Sequence, residues 1–281
     1  MELLKRSITG ILYVAAIVAS IILGGKWMFW LFAACTVLVT IEFVSLINRH
    51  KECNASWFCA ATLSFFLYSG ITAFITGLAP AYTVNPIKLL LPFIVYFILT
   101  VIWELYQQNE HHILNLSIAI FPAIYIALPF SLLNGLGHIM ADSQLTWLLP
   151  LAFFIFIWTN DVGAYCVGCT IGKHRLFERI SPKKSWEGSI GGAFFTIIAA
   201  IVIWKIHPVF NVWIWIGMAI ITVVFGTFGD LAESLIKREL GVKDSGKILP
   251  GHGGFLDRFD STLLAAPIVY AYIYYVSLSA L

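Results

Sequence analysis

Charge is what this sequence has least of. Lys, Arg, Asp and Glu together make up 11% of its 281 residues, against about 25% in an ordinary soluble domain. So few charges cannot cover an aqueous surface, which excludes a soluble globular fold and leaves an exterior that faces lipid. Regularly spaced cysteine is also missing. Cys35, Cys53, Cys59, Cys166 and Cys169 form an odd set with no repeating interval, so no disulfide framework is expected. The first apolar run begins with Lys5-Arg6, as a leader would, but no small-residue cleavage site followed by a soluble domain comes after it. It is therefore read as a retained span. Internal repeats and low-complexity tracts are absent, and no basic patch with interleaved aromatics points to nucleic acid.

What is present is a series of long apolar runs. A bilayer core needs about 20 apolar residues per helix. Such runs lie near 8–25, 27–47, 56–79, 86–106, 113–136, 144–160, 189–206, 211–228 and 261–280. They predict an all-α, polytopic integral membrane protein of about nine transmembrane helices. Pro122 and Pro129 interrupt the fifth run, and Asp142 with Gln144 marks a polar break before the sixth. Lys and Arg orient the chain, because they collect on the cytoplasmic side. With the N-terminus cytoplasmic, segments 1–7, 48–55, 107–112, 161–188 and 229–260 hold all of them except Lys26, Lys88 and Lys205. An odd number of spans then puts the C-terminus outside.

The two halves differ in kind. Residues 1–150 have short polar loops and read as a transmembrane scaffold of about five spans. Residues 151–281 read as a catalytic transmembrane region with long, charged, glycine-rich cytoplasmic loops at 161–188 and 229–260. Nine of the fifteen acids lie from Asp161 to Asp260.

Asp230, Glu233, Ser234 and Lys237 recur at i, i+3, i+4 and i+7, so they share one helical face at the cytoplasmic end of the eighth span. Taken alone, that spacing also suits a plain amphipathic helix leaving the membrane. Lys243-Asp244-Ser245-Gly246 reads as a turn, and Pro250-Gly251-His252-Gly253-Gly254 as a tight loop. Asp257 and Asp260 follow on a first helical turn, where carboxylates are favoured by the helix dipole and need be no more than caps. Glycine-exposed amides beside Lys, Arg and a helix start also suit phosphate oxygens. Acids among such bases make sense if a divalent metal bridges them to phosphate.

The run from Ser234 through Lys237-Arg238, Lys243-Asp244-Ser245-Gly246 and Leu249-Pro250-Gly251-His252-Gly253-Gly254-Phe255-Leu256-Asp257-Arg258-Phe259-Asp260 resembles the phosphatidate cytidylyltransferase signature at every fixed position. Asn160-Asp161-Val162-Gly163-Ala164-Tyr165, at the end of the sixth span, is similar to a second family element, with Val162 where Thr or Ser is usual. Ser181-Pro182-Lys183-Lys184-Ser185-Trp186-Glu187-Gly188 resembles a third, with Ser185 for Thr, and its Ser-Pro pair reads as a helix start. Before about residue 155 the likeness rests on the hydrophobic profile, which is similar to that of the bacterial members.

The resemblance implies the reaction CTP + phosphatidate → CDP-diacylglycerol + pyrophosphate at the cytoplasmic face of the inner membrane. It implies Mg²⁺, with room for a monovalent cation such as K⁺. Asp230 and Asp257 are assigned to the metal and Asp260 beside them. Lys183, Lys184, Lys237, Arg238, Lys243 and Arg258 would hold the triphosphate and the lipid phosphate. His252 would donate a hydrogen bond or shuttle a proton. Asn160, Asp161, Ser234, Asp244, Gly253 and Gly254 complete the expected substrate site. CTP, phosphatidic acid and membrane lipid are the expected partners, and a homodimer is compatible with the family reading.

Three other functions suit a polytopic chain of this kind. A CTP-dependent polyprenol kinase would transfer the γ-phosphate and release CDP. A CDP-alcohol phosphatidyltransferase needs an Asp-Gly-x₂-Ala-Arg…Asp-x₃-Asp pattern, which is absent. A transporter would show inverted repeats and mid-membrane helix breaks, whereas the polar groups here gather at one edge. Gly168 to His174 falls one residue short of a P-loop and has His where Ser or Thr should meet the metal. Cys166 and Cys169 lack a second pair to make a zinc or redox site. His111-His112 has no companion ligands in sequence, and the sequons at Asn54 and Asn115 fall on the cytoplasmic side and inside a span. Glu42 and Glu104 sit within or at the end of spans, either lining a cavity or held by Ser, Thr or backbone partners.

Orientation yields a direct test. Reporters fused at 175 and 246 are expected in the cytoplasm and one after residue 281 outside it; a cytoplasmic C-terminus would mean an even number of spans.

Overall fold

The computed structural model describes residues 2–77, 86–139, 145–246 and 253–279. Its helices are α1 (Glu2–Leu23), α2 (Gly25–Ile47), α3 (Trp57–Ile75), α4 (Pro86–Leu105), α5 (His112–Pro122), α6 (Leu128–Leu136), α7 (Leu148–Ile171), α8 (Trp186–Ile206), α9 (Val212–Glu239) and α10 (Leu256–Ser279). One antiparallel hairpin, β1 (Arg175–Phe177) and β2 (Ser181–Ser185), lies between α7 and α8. Among the described residues, eight helical stretches are long and apolar enough to cross a membrane, with α5 and α6 counted as one, and Thr9–Leu23 forms a shorter apolar helix. These match the nine runs read from sequence. The chain is an all-α, multi-pass membrane protein.

Its outward-facing side chains fit lipid as solvent. Along α4, Leu91, Ile94, Val95, Ile98, Leu99 and Ile102 are exposed, as are Ile190, Phe194 and Ile198 on α8. In hydrocarbon the backbone must satisfy itself, which helices do. The two prolines of the fifth span are absorbed by a π-turn at Ala123–Ala127 between α5 and α6. Pro129 has no N–H, and its ring would crowd the carbonyl four residues back, at Tyr125. A wider turn there relieves both demands.

The chain forms two compact units, Met1–His138 with Leu240–Phe259, and Ile139–Glu239 with Asp260–Leu281. In the first, α3 packs against α2, α4 and α6. Tyr68, fully buried, donates to the Phe29 carbonyl (2.7 Å) and accepts from Asn134 Nδ2 (2.9 Å). Phe259 packs in this unit, where its ring meets Tyr13, Phe32 and Phe130 at 5.5, 6.4 and 5.0 Å. Tyr13 also donates to the Arg258 carbonyl (3.0 Å).

In the second unit, α7 and α8 meet along a glycine seam. A Cβ on Gly188 would come 2.9 Å from the Ala164 carbonyl, and one on Gly192 would come 2.5 Å from Asn160 Oδ1. Without a hydrophobic force between helices in lipid, close approach at small residues supplies the packing. The same device joins α9 to α10, where Gly229 lies against the Asp260 carbonyl and Gly226 against Ser261.

Two local expectations are corrected. Asn160-Tyr165 does not end its span, because α7 continues to Ile171 with Gly163 and Gly168 turned toward α8. Ser181-Pro182 does not start a helix but lies in β2. The start is at Trp186, where the Ser185 hydroxyl caps the Gly188 N–H (3.1 Å).

The seam can be tested by Gly192→Ala, expected to lower stability by about 1–3 kcal/mol through overpacking. Thermal unfolding in detergent reads the loss, with Ile198→Ala on the exposed face as an unaffected control.

Candidate active site

The second unit holds a cavity of about 700 Å³ lined by residues of α7, the hairpin, α8, α9 and α10. Asn160, Asp161, Tyr165 and Cys169 come from α7; Arg175, Lys183 and Lys184 from the hairpin; Ser189 from α8; Thr227 and Asp230 from α9; Ser261 from α10. The Ser185 cap sets where β2 stops, and so aims the two lysines just before it.

Lys184 Nζ lies 2.5 Å from Asp230 Oδ2, with both side chains about one-third exposed or less. Ser234 Oγ donates to the other Asp230 oxygen (3.2 Å). Asp260 is half-buried and its Oδ1 accepts from the Ser261 N–H (2.6 Å). Asp230, Asp161 and Lys184 all act on Asp260 electrostatically. Three carboxylates therefore converge on a region where Lys184 supplies compensating charge. Asn160 Oδ1 is buried at the same cavity and has no hydrogen-bond partner among the described residues.

This face of α9 departs from an amphipathic helix. Glu233, Ser234 and Lys237 are buried, while Leu235 is exposed. Polar groups turned inward at a membrane edge mark function more than solvation. Lys237 Nζ pairs with Glu233 (2.5 Å), and Arg238 Nε donates to the Ile180 carbonyl (3.3 Å), bracing the hairpin from α9.

The first unit holds the other part of the expected set. Asp257 accepts from the Ser245 N–H (3.1 Å), the Ser245 hydroxyl (3.0 Å) and the Gly254 N–H (2.8 Å). Gly253 has φ +80°, a left-handed conformation that L side chains avoid, with Asp257 close against it. Lys243 and Asp244 are exposed and Arg258 is half-buried. His252 lies outside the described residues. So do Lys247, Pro250 and Gly251.

Arg175, Tyr165, Cys169, Ser189, Thr227 and Ser261 also line the cavity and are not among the residues expected from sequence. Thr227 had a legible signal, being three residues before Asp230 on the same helical face. Arg175 had none, because only the hairpin brings it to the lysines. Glu42, left open from sequence, is buried on α2 and accepts from Ser245 Oγ and from the Phe255 and Leu256 amides. Glu104 is buried on α4 and held by Asn115 Nδ2 (3.2 Å), Asn109 Nδ2 (3.4 Å) and His112 Nδ1 (3.1 Å).

Among the described residues, no three His, Cys, Asp or Glu side chains stand close enough to hold a metal by themselves. Mg²⁺ does not require that, since it commonly takes one or two protein carboxylates and fills the rest with substrate phosphates and water. Carboxylate oxygens of Asp161 and Asp230 on the cavity wall, beside lysines that can take up phosphate, fit such an ion.

The cytidylyltransferase family model matches residues 4–276 of this chain. Similar curated proteins include the phosphatidate cytidylyltransferase of Staphylococcus aureus, 49% identical over 117 residues, which cover 41% of this chain and 45% of that protein. The protein of the same description from Staphylococcus haemolyticus is 48% identical over 117 residues, with the same coverage. That of Staphylococcus saprophyticus is 38% identical over 171 residues, covering 58% of this chain and 61% of its own length. The chain thus spans about half the length of the curated relatives it matches.

Proposed function

The chain belongs to the cytidylyltransferase family, and we propose that it transfers the cytidylyl group of CTP to phosphatidate, releasing pyrophosphate and making CDP-diacylglycerol. The observation that carries this reading is the convergence of Lys184, Asp230 and Asp161 on one cavity, with Asp260 acting on them electrostatically. A triphosphate brings both the negative charge that lysines take up and the oxygens that a carboxylate-bound cation needs.

The reaction is a displacement at phosphorus. A phosphatidate oxygen forms the new bond to the α-phosphorus of CTP as the bond from that phosphorus to the bridging oxygen breaks, and pyrophosphate takes the bonding pair. Such chemistry asks the protein mainly to position the two phosphates and to neutralise charge that builds on the oxygens. Lys183, Lys184 and Arg175 are the cavity's cations and would take the triphosphate. The Lys184–Asp230 pair keeps that lysine extended before substrate arrives. Lys237, Arg238, Lys243 and Arg258 would serve the remaining phosphate charge. Asp230 and Asp257 are the proposed ligands of Mg²⁺, with Asp260 beside Asp230 and K⁺ as a further ion. When bound, the ion would supply Lewis-acid polarisation of phosphate oxygens. Asn160 offers its buried amide to the substrate. The site is proposed to face the cytoplasm at the inner membrane, where CTP is available to a lipid substrate.

A polyprenol kinase would use the same nucleotide but break a different bond. Purified protein given CTP and phosphatidate is expected to place α-phosphate label in lipid and to release γ-label as pyrophosphate; γ-label in lipid would overturn the reading. In the same assay Asp230→Asn, which keeps shape but removes charge, is expected to lower kcat by roughly 10²-fold or more.

A further inference from the structure

We propose that Glu42, which lies 203 residues before Ser245 of the signature, is a positioning residue for Asp257. The inference rests on the proposed transferase reading and adds to it a residue that neither the signature nor the cavity contains.

A carboxylate 4% exposed within an apolar helix is costly unless donors surround it. Glu42 finds its donors in the signature segment. Ser245 Oγ donates to Oε1, the Phe255 N–H to Oε2 (2.8 Å) and the Leu256 N–H to Oε1 (3.3 Å). The last two are first-turn amides of α10, which have no partners inside the helix and carry its positive dipole end. Glu42 thus caps α10 from another helix.

The same carboxylate accounts for two signature glycines. A Cβ on Gly246 would stand 2.8 Å from Glu42 Cδ, and one on Gly254 would overlap the Glu42 carboxylate. Neither has a positive φ, unlike Gly253, so the need for glycine at 246 and 254 is one of space for Glu42.

What Glu42 fixes, Asp257 uses. The Ser245 hydroxyl lies between the two carboxylates and shares its single proton between them, and the Ser245 and Gly254 N–H groups also donate to Asp257. Removing the Glu42 charge leaves Ser245 and the α10 start without their anchor, and the Asp257 carboxylate loses its fixed direction. Glu104 provides the contrast. It is equally buried, yet its partners Asn109, His112 and Asn115 lie outside the signature.

The test compares Glu42→Gln, Ser245→Ala and Glu104→Gln in full-length protein in detergent, each normalised to the folded fraction. Two readouts are taken: kcat with CTP and phosphatidate, and Mn²⁺ affinity by electron paramagnetic resonance without substrate. Outer ligand-orienting partners typically matter by about 10- to 100-fold. Glu42→Gln and Ser245→Ala are expected to weaken Mn²⁺ binding and lower kcat by about tenfold or more, while Glu104→Gln changes neither. Wild-type Mn²⁺ affinity per folded molecule in Glu42→Gln would make Glu42 a structural cap only and overturn the proposal. If Glu42→Gln does not fold, unchanged Mn²⁺ affinity in Ser245→Ala overturns it equally. Wild-type protein that makes no nucleotide-lipid would overturn the transferase reading instead.

Discussion

A carboxylate placed in or beside hydrocarbon must be met by a cation or by donors, and this chain keeps several such acids. Asp230 is met by Lys184, Glu233 by Lys237, Glu42 by a hydroxyl and two helix-start amides, and Glu104 by asparagine and histidine. Each solution demands its own backbone arrangement. The hairpin must bring Lys184 to α9, and glycines must let α10 approach Asp230's helix and let residues 246 and 254 approach Glu42. Much of what is irregular in an otherwise plain helical membrane protein follows from compensating these charges.

The separation between the acids enclosed by donors and those proposed to react follows the same logic. Glu42 and Glu104 are enclosed by donors. Asp230 has one cation and one hydroxyl and opens onto a cavity of about 700 Å³ where Asp161 and Asp260 add more negative charge. Carboxylates so close together are a cost in the free protein, and a cation bound together with triphosphate would relieve it. The transporter alternative offers no comparable reason to gather three carboxylates, two lysines and an arginine at one membrane edge.

Span number and type were legible in the sequence because lipid imposes long apolar runs whatever the tertiary contacts. The Asp230 face was legible because helical spacing is local. Less local features were not. Ser181-Pro182 has the chemistry of a helix start, yet the capping role passes to Ser185 because the intervening residues pair with Arg175–Phe177 as a strand. The role of Glu42 depends on a contact across more than two hundred residues, which no local spacing around it reveals. Asn160 reads as a span end until α8 presses glycines against it and allows α7 to continue.

The central claim, that the cavity of α7, α9 and the hairpin receives the nucleotide, is open to a direct measurement. Cys169 lines that cavity and is exposed, whereas Cys53 lies in the 48–55 segment of the other unit. In two variants that keep only Cys169 or only Cys53, alkylation by a small maleimide reports access to each place. Saturating CTP with Mg²⁺ is expected to slow labelling of Cys169 severalfold and leave Cys53 unchanged. Equal labelling of Cys169 with and without the nucleotide would contradict the account.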